Sequence, residues 1–131
     1  MAKILVVDDD DNLRYLFPLL LEREGHIVKT ISSKDTANNT LSTFSPDLVI
    51  LDIWLQREDG RKLCKEIKEK HNSNIPIILM SASVKLLNDY AAWNADAGIE
   101  KPFDIHVLNK TINEVLGRYQ HTNKPISAEE V

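Results

Sequence analysis

The sequence predicts an α/β protein built on a doubly wound parallel sheet of five strands. Five short apolar runs alternate with segments of helical spacing, the pattern typical of such sheets. The first, third and fourth runs are apolar without polar alternation, as in strands that are covered on both faces. The runs are residues 4–7, 27–28, 48–51, 77–80 and a fifth run centred on Ile99.

Between the strands, apolar residues recur at the spacing of one buried helix face. Ser32 and Asp35 resemble a capping pair at the start of the second helix. Pro18 lies inside the first helix, where it removes a backbone hydrogen bond, and we expect a kink there. Right-handed crossovers would place helices on both sides of the sheet. Five helices are predicted around the apolar stripes at 13–21, 37–44, 63–67, 84–91 and 105–116.

The composition predicts one domain over residues 1–119 and a polar C-terminal tail over residues 120–131. The net charge of −4, without a basic stripe, argues against direct nucleic-acid binding. The single cysteine, Cys64, does not permit an internal disulfide and fits a small core residue. The apolar run near Met1 is too short for a signal peptide or a membrane span, so a cytoplasmic protein without membrane association is expected.

Acidic residues follow two of the predicted strands. Asp8 and Asp9 follow the first strand and Asp52 follows the third. Because these strands are neighbours in a doubly wound sheet, which binds ligands at this edge, the three carboxylates should converge. They would repel one another without a cation, and their hard oxygen ligands suit Mg²⁺. The alternative is a solvated helix N-terminus, which we accept only for Asp10 and Asp11.

Two further strand ends carry polar residues that suit phosphoryl transfer. A carboxylate can act as the nucleophile and form an aspartyl phosphate, provided that donors hold the remaining phosphoryl oxygens. Ser81 follows the fourth strand with a hydroxyl, and Lys101 follows the fifth with a compact positive charge. Taken singly, they would be a helix cap and a solvated lysine. Together with the carboxylates they indicate a phosphoryl-transfer site.

These motifs resemble the receiver domains of two-component response regulators, in particular the chemotaxis type. The resemblance covers about residues 3 to 118 and implies a flavodoxin-like (βα)5 fold with strand order 2-1-3-4-5. It also implies that Asp52 is the phosphoacceptor in a Mg²⁺-dependent reaction. The matching motifs are KILVVDD at 3–9, PDLVILD at 46–52, MSA at 80–82 and KPF at 101–103.

The same resemblance assigns roles to the residues around the phosphoacceptor. Asp9 would bind Mg²⁺ directly together with Asp52, and Asp8 would act largely through water. The backbone carbonyl of Trp54 would complete the protein ligands. The remaining two roles belong to the hydroxyl and the cation at the last two strand ends. Ser81 and Lys101 would hold the phosphoryl oxygens, with a cis peptide bond between Lys101 and Pro102.

The resemblance also implies the partners. The phosphoryl donor would be a sensor histidine kinase or a histidine phosphotransfer protein. A downstream protein target would bind the face formed by the fourth helix, the fifth strand and the fifth helix. The domain would be a monomer or a weak dimer, and its catalysis would be limited to its own phosphorylation and dephosphorylation.

The sequence departs from the family pattern in three places. Gln56 stands where the family usually has a proline, and residues 94–96 read Asn-Ala-Asp rather than Gly-Ala-Asp. Gly98 replaces an aromatic residue that normally moves with the hydroxyl residue on phosphorylation. The last departure leaves the chemistry intact and puts the usual output switch in doubt.

Two other functions compete with a phosphorylated receiver. A degenerate receiver would act as a binding module without phosphorylation; Gly98 favours it, and the complete set of pocket residues opposes it. A Mg²⁺-dependent phosphohydrolase of the haloacid-dehalogenase type would use an aspartate after the first strand and another two residues on. That arrangement would leave Asp52 and the Lys101-Pro102 motif unexplained, and a chain of 131 residues has little room for the cap of that family.

Overall fold

The computed structural model describes residues 1–71 and 74–123, and only the backbone of residues 120–123. A parallel sheet of five strands has the order β2-β1-β3-β6-β7, and a small antiparallel hairpin, β4-β5, follows β3. Counted along the main sheet alone, this is the predicted order 2-1-3-4-5. The strands are β1 (Lys3–Val7), β2 (Ile27–Ile31), β3 (Leu48–Asp52), β4 (Trp54–Leu55), β5 (Glu58–Asp59), β6 (Ile77–Ser81) and β7 (Ala97–Glu100).

Within the described residues, four α-helices lie between strands of the main sheet, a fifth follows β7, and three other helical segments accompany them. The α-helices are α1 (Asp11–Glu22), α2 (Ala37–Phe44), α3 (Gly60–Glu66), α4 (Val84–Leu87) and α5 (Ile105–Asn123). A π-helical segment continues α3, and two 3-10 turns lie before α2 and after α4. These segments are Ile67–His71, Lys34–Thr36 and Tyr90–Trp93.

The core lies on both faces of the sheet because successive residues of a strand point in opposite directions. In β1, Leu5 and Val7 pack with residues from α2, α3 and α4. Ile4 and Val6 pack with residues from α1 and α5. Cys64 is fully buried in the first of these clusters, and burial raises the pKa of its thiol to about 12. Its predicted role as a core residue is confirmed.

Several details differ from the sequence-based prediction. The capping pair of Ser32 and Asp35 does not form, because a 3-10 turn with Ser33 at its N-cap position precedes α2. The fourth helix is interrupted: α4 has only four residues, and Asn88 and Asp89, whose helix propensity is low, separate it from the next 3-10 turn. Pro18 lies inside α1 as predicted, and the kink expected there stays a prediction.

The C-terminal helix α5 continues into the segment that the sequence predicts to be a polar tail. Its described residues extend to Asn123, whereas the tail is predicted from residue 120. The rest of that tail, residues 124–131, lies outside the described residues. In the part of the chain that the structure describes, no helix combines the length and the apolar character needed to cross a membrane.

Gly60 permits the closest backbone approach near the site. It begins α3, and its N–H donates to the carbonyl of Ile53 (2.5 Å). A Cβ added to Gly60 would lie 2.0 Å from the backbone oxygen of Asp52, a contact that real Cβ atoms do not make. Any side chain here must therefore push α3 away from the end of β3.

We predict that Gly60→Ala lowers the free energy of unfolding by about 3 kcal/mol or more, because the methyl group collides with rigid backbone. Gly117→Ala is the matched control, since its Cβ would meet nothing within 4 Å in the middle of α5. That control should stabilise the protein by about 0.5–1 kcal/mol, the helix-propensity difference between alanine and glycine. Urea denaturation of both variants measures these values. Equal stabilities of the two variants would contradict the close approach at Gly60.

Candidate functional site

The three acidic residues singled out in the sequence come together at the carboxyl ends of β1 and β3. These strands are paired, with Val7 opposite Leu51, so the residues that follow them are neighbours. Asp8 is fully buried, Asp52 is 7% exposed and Asp9 is exposed. One carboxylate oxygen from each residue lies within 4.8 Å of the other two. This spacing allows the three groups to share one divalent cation.

Lys101 joins two of these carboxylates. Its Nζ donates to Oδ2 of Asp52 (2.6 Å) and to Oδ2 of Asp8 (3.0 Å). Lys101 directly follows β7, and its backbone N–H donates to the carbonyl of Ser81 (2.8 Å) at the end of β6. The Lys101-Pro102 peptide bond is cis, as expected. The end of β7 thus places a cation beside the acids at the ends of β1 and β3.

Burial and charge act in opposite directions on this cluster. Burial raises the pKa of the Asp52 carboxyl and the nearby Asp8 adds to the rise, although Lys101 and the Trp54 N–H partly offset it. Burial disfavours the charged form of Lys101, but its hydrogen bonds and charge interactions with the two aspartates outweigh that effect and raise its pKa. At neutral pH the lysine is therefore cationic and compensates the buried acids.

Backbone amides orient each of the three carboxylates. The N–H of Asp10 donates to Oδ1 of Asp8 (2.9 Å), and the N–H of Trp54 donates to Oδ1 of Asp52 (3.1 Å). The N–H of Gln56 donates to Oδ2 of Asp9 (2.6 Å). Each amide thus holds one oxygen of its carboxylate, and the second oxygens of Asp8 and Asp52 accept from Lys101 instead.

The role of Gln56 could not be predicted from the residues alone. It lies in the turn between β4 and β5 with φ +57°, in the left-handed region. Proline could not replace it, because its ring holds φ near −65° and it has no N–H to donate to Asp9. The sequence showed only that Gln56 departs from the family pattern. The structure shows what this residue does: its N–H connects the hairpin to Asp9 of the acidic cluster.

Ser81 lies where the sequence predicts, at the end of β6, and it is 3% exposed. Its Oγ accepts a hydrogen bond from the N–H of Ser83 (3.0 Å), and the Oγ of Ser83 accepts one from the N–H of Leu86 (3.3 Å). Ser81 is thereby connected to the N-terminal cap of α4. Any ligand that attracts the Ser81 hydroxyl would act on the start of this helix.

Comparison with known proteins decides the family. Residues 4–113 match the sequence model described as the response regulator receiver domain. The chain belongs to this receiver family. The prediction made from the motifs is confirmed.

Curated relatives of this receiver domain are longer proteins. The probable transcriptional regulator ycf27 of Cyanidium caldarium is 34% identical over 122 residues, which are 92% of this chain and 48% of that protein. The alkaline phosphatase synthesis transcriptional regulatory protein PhoP of Bacillus subtilis is 32% identical over 118 residues, with coverages of 88% and 49%. The chain thus spans about half the length of these two relatives.

Solved structures share the fold. The receiver domain of NtrX from Brucella abortus has a TM-score of 0.81 and 35% identity, and the match covers 87% of this chain and 98% of that one. The beryllofluoride-activated N-terminal receiver domain of RstA from Klebsiella pneumoniae has a TM-score of 0.79 and 28% identity, with coverages of 87% and 97%. The predicted flavodoxin-like receiver fold is confirmed.

Gly98 allows a close contact between β7 and α4. A Cβ at Gly98 would lie 3.2 Å from a terminal methyl of Leu87 and 3.4 Å from its Cβ. Leu87 is buried and belongs to the core on this face of the sheet. The leucine therefore lies directly over the glycine, and α4 approaches β7 more closely than a larger residue at position 98 would permit.

We predict that Lys101→Met destabilises the metal-free receiver domain by about 3–5 kcal/mol, because it leaves two buried carboxylates without their cation. Lys110→Met, which changes an exposed lysine of α5, is the matched control and should change stability by about 0.5 kcal/mol or less. Denaturant unfolding in the presence of a chelator measures both. Similar stabilities for the two variants would show that Lys101 does not compensate Asp8 and Asp52.

Proposed function

We propose that this receiver domain accepts a phosphoryl group on Asp52 from a phosphohistidine of a sensor histidine kinase or a histidine phosphotransfer protein. The observation that carries the proposal is the double ion pair of Lys101 with Asp52 and Asp8. It places a cation on the oxygen of the residue that would become phosphorylated. A receiver family member with this cluster intact has every side chain that the reaction needs.

In the proposed transfer, a carboxylate oxygen of Asp52 attacks the phosphorus atom. A P–O bond forms, the P–N bond to the donor imidazole breaks, and the imidazole nitrogen keeps the electron pair. The ring leaves as neutral imidazole, because either its other nitrogen already carries a proton or the leaving nitrogen takes one from solvent. Asp52 acts as an anion, so no base needs to remove a proton from it. Lys101 stabilises the negative charge on the transferred oxygens, and the hydroxyl of Ser81 donates to another of them.

The residues also fit a Mg²⁺ ion. Asp9 and Asp52 would bind it directly, Asp8 through water, and the backbone carbonyl of Trp54 would complete the protein ligands. When bound, the ion neutralises charge on the phosphoryl oxygens. The exposure of Asp9 supports this assignment, since its carboxylate remains accessible from solvent while its other oxygen is held by the N–H of Gln56.

We further propose that the output is a protein contact on the face formed by α4, β7 and α5. A surface cavity on this face is lined in part by Tyr90, Gly98, Thr111 and Glu114. The domain would act in the cytoplasm as a monomer or weak dimer, without contacting nucleic acid or membrane itself. It would catalyse only its own phosphorylation and dephosphorylation.

The alternative of a phosphorylation-independent binding module rests on Gly98. Against it stand the buried Asp8 and the ion pairs of Lys101, which impose the cost of burying charge and would have no evident use in a module that is never phosphorylated. The haloacid-dehalogenase alternative requires a different family, and the match to the receiver family opposes it.

We expect incubation with acetyl phosphate and Mg²⁺ to place one acid-stable, base-labile phosphoryl group on the protein, because an acyl phosphate has this lability. Asp52→Asn should abolish it, since an amide is a poor nucleophile. Asp35→Asn, which changes an exposed acid to which no role in the pocket is assigned, is the control and should label at the wild-type level. Phosphate-affinity electrophoresis and peptide mass spectrometry give the extent and the position. Wild-type labelling of Asp52→Asn would remove the basis of the assignment.

We expect Mg²⁺ to raise the melting temperature, because a ligand that binds only the folded state adds about 2.7 kcal/mol at a hundredfold excess over Kd. Asp9→Asn should remove most of this response, whereas Asp11→Asn, an exposed acid in the first turn of α1, should keep it. Trp54 fluorescence should change in parallel, since Trp54 lies two residues after Asp52 and its N–H donates to the Asp52 carboxylate. A melting curve and an emission spectrum that are unaltered at millimolar Mg²⁺ would refute the metal assignment.

A further inference from the structure

The β4-β5 hairpin connects the acidic cluster to the start of α3. Trp54, whose N–H donates to Asp52, lies directly opposite Asp59 in the hairpin. Asp59 is also the N-cap of α3, where its Oδ1 accepts the N–H of Arg61 (2.9 Å). A displacement of the backbone at Trp54 would therefore move Asp59, the N-cap of α3, because the two residues are paired directly.

Asp59 also fixes the side chain of Arg61. Nε of Arg61 donates to Oδ1 of Asp59 (3.0 Å), and its Nη2 donates to Oδ2 (2.8 Å). Such a two-point pair holds the planar guanidinium in one orientation. The pair lowers the pKa of Asp59 and raises that of Arg61, chiefly through these hydrogen bonds.

The guanidinium of Arg61 reaches the segment that follows α4. Its central carbon lies 4.9 Å from the centre of the Trp93 ring, in the range of a cation–π contact. Trp93 ends the 3-10 turn Tyr90–Trp93, which is separated from α4 by Asn88 and Asp89. We refer to α4 and the following turn, residues 84–93, as the α4 segment. Arg61 contacts the end of this segment, whereas Ser81 and Ser83 hold its start through hydrogen bonds.

We propose that the Asp59–Arg61–Trp93 contact is a second connection between the phosphoryl pocket and the α4 segment, through which a ligand in the pocket repositions Trp93. The proposal rests on the proposed function, because it needs a ligand at Asp52. An aromatic side chain at position 98 would be one way to pass the signal on, and Gly98 does not have one. The hairpin provides another route, from Asp52 through Trp54 to Asp59 and Arg61.

The experiment uses the full chain labelled with 5-fluorotryptophan. The chain contains two tryptophans, so its ¹⁹F spectrum has two resonances, and Trp93→Phe identifies that of Trp93. Mg²⁺ with beryllofluoride, a stable phosphoryl mimic, is then added. We expect the Trp93 resonance to shift in the wild type and to lose most of this shift in Arg61→Gln, while acetyl phosphate still phosphorylates both proteins at similar rates.

Lys62→Gln is the matched control, because it removes the neighbouring exposed cation of α3 without touching Trp93, and it should keep the full shift. Arg61→Lys is a second variant in case Arg61→Gln unfolds; it keeps the charge, loses the planar fork, and should lose part of the shift. Circular dichroism verifies the fold of each variant.

A full Trp93 shift in folded Arg61→Gln would overturn the proposal. So would an unshifted Trp93 in wild-type protein that acetyl phosphate does phosphorylate on Asp52, and in that case the proposed function would stand. Absence of phosphorylation in the wild type would refute the proposed function itself, and this connection with it.

Discussion

The ion pairs of Lys101 with Asp8 and Asp52 are the constraint on which the rest of the site depends. Two carboxylates at the carboxyl ends of β1 and β3 are largely buried, and each would be costly without a cation. The cation follows β7, near the C-terminal end of the domain, so the pairing requires β1, β3, β6 and β7 to be assembled side by side in that order. Fold and function are therefore coupled by charge as well as by packing.

The surroundings of Asp52 show the same coupling at the level of the backbone. Gly60 lets α3 begin against the carbonyl of Asp52, and the hairpin that precedes it places the Gln56 amide on Asp9. The approach of Gly60 to Asp52 is local in sequence, whereas the hydrogen bond from Gln56 joins it to Asp9, 47 positions away. Together the two contacts determine how the carboxylates are oriented. Asp52 is therefore in direct contact with both the hairpin and the start of α3.

The strand order and the pocket residues could be predicted because apolar runs and strand-end residues follow simple rules of parallel sheets. The hairpin could not, since its strands have two residues each and no periodicity. The interruption of the fourth helix was also missed: Val84, Leu87 and Ala91 keep helical spacing, but Asn88 and Asp89 between them separate a one-turn helix from a 3-10 turn. Spacing reports the buried face, whereas continuity of the backbone depends on such local competition.

A one-turn helix cannot be stable by itself, because nucleation of a helix is unfavourable and α4 has no length over which to recover that cost. Its position is set by the Ser83 cap, by Leu87 over Gly98 and, through the following turn, by Arg61 on Trp93. The Ser83 cap and the contact of Arg61 with Trp93 are each worth about 0.5–2 kcal/mol. A ligand shifts an equilibrium between two conformations only by the difference in its contacts with them. A phosphoryl group that changed one or two of these contacts would therefore be sufficient to move the segment. A weakly held α4 segment would thus permit the proposed switch without an aromatic residue at position 98.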